Sequence, residues 1–297
     1  MAVVVSPEQD QAAGLRRMMR GKQLQIISFV GGCPGVGRSS AIANIAWALT
    51  RQGKEVLVID ENSSNDDIAA AFGLSAQHDL LQVIQNQLPL DRVLLQPASG
   101  LRLLPAAQAI QNLGELTLRQ RQSFIAAMSG LNPSVDVILI DSGINHPLGI
   151  SPLGLAAAET VVVVSALSSQ SITQAYSLIK KASHRFSRRQ FQLLVTKTRN
   201  LQEGAGIFSN IAAVAAMRGV ASLEYAGCIP FDNALREADR QKRSIFTFSP
   251  NAPAALSIRQ VANDLLQRGG NLPRMENLGH FAQQLLNLCK QITPHYS

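Results

Sequence analysis

An apolar run, Leu24–Val30, leads directly into Gly31-Gly32-Cys33-Pro34-Gly35-Val36-Gly37-Arg38-Ser39-Ser40, and an alanine-rich segment follows. A strand, a glycine-rich turn and a helix in that order set a helix N-terminus beyond the end of a buried strand. The glycines there let backbone N–H groups curl round an anion, and the helix dipole favours negative charge. The phosphate-loop pattern G-x-x-x-x-G-K-[ST] is met by Gly32, Gly37 and Ser39, with Ser39 at the position that reaches magnesium. Arg38 stands where the pattern has lysine. Arginine keeps the charge but replaces a compact ammonium with a broad planar fork. The candidate phosphate-binding residues are Gly32, Gly35, Val36, Gly37, Arg38, Ser39 and Ser40.

The rest of the chain repeats the same alternation. Strands are expected at Leu24–Val30, Glu55–Asp60, Leu101–Leu104, Val135–Asp141, Thr160–Ser165, Phe191–Thr196 and Tyr225–Ile229. Helices are expected between them, among others at Ser39–Arg51, Leu118–Met128, Gln170–His184 and Ala252–Gln267. Runs such as VLVID and TVVVV are apolar at every position, which suits a sheet covered on both faces. The fold class that follows is α/β, a doubly wound and mostly parallel sheet with helices on both faces. Ligands of such sheets bind beyond the C-terminal ends of the strands. Two expected strands end there in acids, Asp60 followed by Glu61 and Asn62, and Asp141 followed by Ser142 and Gly143. An aspartate so placed beside a phosphate loop can hold magnesium through water. Ser39, Asp60 and Asp141 are the candidate metal residues, and Asp60, Asn62 and Asp141 the candidate catalytic ones.

Of 297 residues 46% are hydrophobic and 16% charged, enough for one large domain with an aliphatic core. No apolar run reaches the ~18 residues of a membrane span. The N-terminus does not read as a secretory signal, and three scattered cysteines point to a reducing compartment, so a cytoplasmic location is expected. The net charge is +7. Its clusters, Arg16 to Lys22, Lys180 to Arg189 and Arg240 to Arg243, read first as solvated surface, with DNA as the less favoured alternative.

Two helical extensions flank a body spanning 23–268. In the first, 1–22, Ser6 caps a helix with Pro7 at its first position, and Gln9 completes a capping box. The second, 269–297, follows Gly269, Gly270 and Pro273 and carries Met275, Leu278, Phe281, Ala282, Leu285, Leu286 and Cys289 on one face. That face either docks on the body or meets a membrane through Phe281, Leu285 and Leu286.

In sum these residues resemble the MinD/ParA group of deviant Walker A ATPases. Gly227-Cys228-Ile229-Pro230-Phe231-Asp232 matches the group's late Gly-x-Ile-Pro element. Within the group the chain is most similar to the flagellar number and placement regulators of the FlhG type, also called FleN or YlxH. Three stretches carry this: Asp10-Gln11-Ala12-Ala13-Gly14-Leu15-Arg16, Ser171 to Lys180, and Leu235-Arg236-Glu237-Ala238 through Phe248–Ala254. The resemblance implies ATP and Mg2+ as cofactors and an ATP-dependent homodimer. It implies an N-terminal helix, here Asp10, Gln11, Ala12, Leu15 and Arg16, that stimulates the signal-recognition-type GTPase FlhF. It also implies a C-terminal helix that visits the inner face of the cell membrane and, in some members, restraint of a flagellar transcription activator.

The chain departs from that family at the chemistry. Cys33 holds the place of the signature lysine, Pro34 that of the next glycine, and Arg38 that of the catalytic lysine. Asn62 replaces the aspartate that orients water, and Thr196 replaces an asparagine near the adenine. An amide can hold a water but cannot take up its proton. The favoured reading is an ATP-binding regulator with degraded hydrolysis. An active ATPase switching between monomer and dimer, and a ParA-like protein for another cargo, are the alternatives.

Overall fold

The computed structural model describes residues 24–62, 68–131, 135–143, 150–268 and 277–292. The N-terminal residues 10–16, and Met275, lie outside them. Eight strands form one sheet: β1 (Gln25–Gly31), β2 (Val56–Asp60), β3 (Leu95–Ala98), β4 (Leu101–Pro105), β5 (Val137–Asp141), β6 (Glu159–Ser165), β7 (Gln190–Thr198) and β8 (Ser222–Pro230). Their order is β3-β4-β2-β5-β1-β6-β7-β8. All pairs are parallel except β3 with β4. β3 goes beyond the sequence expectation. Its Pro97 interrupts the pattern, and proline is tolerated because this strand forms the sheet edge.

Six longer helices cover the faces: α1 (Arg38–Thr50), α2 (Leu118–Gly130), α3 (Ser169–Phe186), α4 (Leu201–Met217), α5 (Pro253–Arg268) and α6 (Leu278–Ile292). Successive strand residues point to opposite sides, so Ile27 and Phe29 join a core with α1 and α5, while Ile26 joins another with α2 and α6. A third core lies between β6, β7, α3 and α4. The central strands β1, β2, β5 and β6 are buried on both faces, which explains why these runs are apolar at nearly every position.

The C-terminal helix turns its stripe inward. Phe281 and Leu285 are 0% exposed and Leu286 2%, packed in the core that also holds Phe124 and Met128 of α2. Of the two uses this face allows, the structure shows docking: Phe281, Leu285 and Leu286 close the protein's own core. Residues at three- and four-step spacing produce the same stripe for either use, and only the tertiary neighbour decides. No described helix is long and apolar enough to cross a membrane.

Candidate functional site

The order of the sheet reverses at β1, with β5 on one side and β6 on the other, so the crevice of the fold opens at the end of β1. There residues 32–37 turn from β1 into α1. Gly35 and Gly37 adopt φ of 73° and 84°, which other side chains rarely tolerate. Gly32 answers a different demand: a Cβ there would come 2.6 Å from the backbone of Gln174 and Ala175 in α3. The segment Ser171–Lys180 thus includes residues that pack directly against the loop.

From the other side β7 holds the loop. The Thr196 hydroxyl donates to the Val36 carbonyl at 2.5 Å, and the Lys197 ammonium donates to the Gly35 carbonyl at 2.6 Å. Lys197 sits at φ 57°, within an irregularity of the β7–β8 pairing. In a trans peptide N–H and C=O point opposite ways. Tying those two carbonyls to β7 therefore aims the N–H groups of Val36 and Gly37 away from it. The loop fits a phosphate chain, and Thr196 serves the loop backbone. At the start of α1, Ser40 donates to Asp239 at 2.8 Å, which ties the helix to the segment Asn233–Arg240.

Asp60 and Asp141 are neighbours in the β2–β5 register, and both are buried. Arg38, 7% exposed, turns onto Asp141. Its Nε forms a close ion pair with Asp141 Oδ1, and its Nη2 donates to Asn62 Oδ1 at 3.2 Å. Ser39 Oγ donates to the other oxygen of Asp141 at 2.6 Å. The Asn62 amide donates to Asp60 Oδ1 at 3.0 Å and to the Asp141 carbonyl at 3.2 Å. Backbone N–H groups of Asn62 and Ile68 reach the two Asp60 oxygens at 2.9 and 3.2 Å. All four carboxylate oxygens of the pair thus accept from protein donors. A divalent ion would have to share Asp141 with a guanidinium, so Ser39, Asp60 and Asp141 as arranged do not fit magnesium. Among the described residues no group of three or more His, Cys, Asp or Glu converges on a metal position.

Behind Asp141 lies Glu61. It accepts from Ser151 Oγ at 2.7 Å and from Ser142 Oγ and the Gly143 N–H at 3.0 Å each. Burial raises its pKa to about 7, against the lowering effect of those three donors, and the charge of Asp141 adds to the rise.

The family model described as an AAA domain matches residues 24–193. The antiactivator FleN of Pseudomonas aeruginosa is 30% identical over 240 residues, 80% of this chain and 85% of that one. The chain belongs to the MinD/ParA family, in its FlhG-type branch. The flagellum site-determining protein YlxH of Helicobacter pylori is 26% identical over 268 residues, 88% of this chain and 90% of its own. The septum site-determining protein MinD from Pyrococcus horikoshii, solved as a complex with Mg-ADP, superposes with a TM-score of 0.62 at 17% identity, covering 83% and 98% of the two chains.

Against that family background, the departures of this MinD/ParA chain converge in space. Arg38 bonds Asn62 and Asp141, Asn62 bonds Asp60 and the Asp141 carbonyl, and Thr196 bonds the loop that precedes Arg38. Cys33 is half-buried against the core of α1 and α5. Lys197 and Glu61 escaped the sequence reading. Lys197 directly follows the expected end of a strand, and Glu61 lies between two residues already singled out, so adjacency was the available signal.

Proposed function

We propose that the chain is a regulator of flagellar number and placement of the FlhG type. It binds ATP through residues 32–40 and hydrolyses it slowly or not at all. The observation that carries this is the Arg38–Asp141–Asn62–Asp60 network. The groups that would meet the γ-phosphate and the attacking water are bonded to each other, and Asn62 has no carboxylate to take up the water's proton. Loss of one preorganised donor to a transition state typically costs about 3–4 kcal/mol, and such losses do not simply add. The flagellar assignment is supported by the relatives named as an antiactivator and as a flagellum site-determining protein. In this reading the segment Asp10, Gln11, Ala12, Leu15 and Arg16 engages an FlhF-type GTPase, a flagellar transcription activator is a second partner, and ATP pairs two copies.

Turnover of ATP should be indistinguishable from that of a Ser39→Ala chain; turnover well above that control would favour a working ATPase. A peptide of residues 1–22 should stimulate an FlhF-type GTPase, and Gln11→Ala should weaken it. No effect at saturating peptide would remove this partner.

A further inference from the structure

We propose that the Arg38 guanidinium is the resident cation of the phosphate site and stands in the place of a divalent ion, so that the loop takes a nucleoside triphosphate free of magnesium. This rests on the reading of the loop as an ATP site given above.

Asp141 is 0% exposed, and a buried carboxylate needs a positive partner. In this chain that partner is covalently part of the loop. A guanidinium remains charged at every working pH and presents a flat fork of five N–H donors. Magnesium instead requires near-octahedral oxygen ligands and gives up its waters reluctantly. Arg38 spends one donor on Asp141 and one on Asn62, which leaves N–H groups for phosphate oxygens beside the loop amides.

Position 62 is matched to this arrangement. The Asn62 amide accepts from Arg38 and donates to Asp60 and to the Asp141 carbonyl. An aspartate there could accept from Arg38 but would set its charge against Asp60 and could donate to neither. Arg38 and Asn62 therefore form one unit, in which protein donors engage every oxygen of the carboxylates that a hydrated ion would otherwise use.

The test is calorimetric titration of the full chain with ATP, once in magnesium and once in EDTA. The wild-type Kd should agree between the buffers within about threefold, whereas Arg38→Lys, with a point charge in place of the fork, should bind about tenfold or more tightly in magnesium than in EDTA. Tenfold or greater weakening of the wild type in EDTA overturns the proposal and leaves the ATP reading standing. Folded wild type, verified by its melting curve, that binds ATP in neither buffer overturns both. An Arg38→Lys chain as indifferent to magnesium as wild type overturns the role given to Arg38. If Arg38→Lys does not fold or binds in neither buffer, the two wild-type titrations decide alone.

Discussion

Single side chains set the chemistry of this site, and two of them make sharp predictions. Glu61 has its pKa raised by burial from 4.5 to about 7. The folded state therefore holds this proton more tightly than the unfolded chain. Its stabilising contribution is complete below pH 4.5 and is lost as pH rises through about 7. Glutamine imitates the protonated acid, since its oxygen can accept from Gly143 and Ser142 while its amide donates to Ser151. Glu61→Gln should match wild type in denaturant melts at pH 4 and exceed it by up to ~3 kcal/mol above pH 8. A constant difference across pH would remove burial as the cause. Gly32→Ala tests a close approach instead of a special dihedral. Its methyl meets α3 backbone, which cannot rotate away as a side chain can, so a loss of ~1–3 kcal/mol is expected in thermal melts.

Among the elements, α6 and β7 changed their meaning most once neighbours were known. The apolar stripe of α6 closes the core over α2, and its docking face holds Phe281, Leu285 and Leu286. Leu285→Ala should cost ~2–5 kcal/mol of stability in equilibrium unfolding, as for any well-packed core leucine. A variant as stable as wild type but poorer at sedimenting with anionic liposomes would instead place that face in a membrane. β7 acts through residues near its end, which abut the phosphate loop: Thr196 and Lys197 hold two loop carbonyls.

Over the whole molecule part of the described basic excess is bonded within the chain, while Lys180, Lys181, Arg185, Lys242 and Arg243 are exposed. Arg188 donates to the carbonyls of Ala157 and Ala158 at 2.9 and 3.0 Å, Arg189 to that of Gly219 at 2.9 Å, and Arg240 pairs with Glu237. The bonded arginines are less available to track a phosphate backbone, and the exposed lysines and arginines read as solvated surface. No shift of duplex DNA is expected at physiological salt in a gel assay; a salt-sensitive shift there would favour the partition reading. By itself the sequence determined the alternating strands and helices, the place of the phosphate loop and the two carboxylates at strand ends. Those signals are local, being hydrophobic period, glycine spacing and a charge that ends an apolar run. Only the tertiary structure decided that Arg38 turns onto Asp141, that Thr196 serves the loop, that Glu61 is buried behind Asp141 and that α6 faces inward. Each of these depends on which residue, tens to hundreds of positions away, the sheet order brings alongside. A side chain's period in sequence fixes its face, while its partner is a property of the assembled fold.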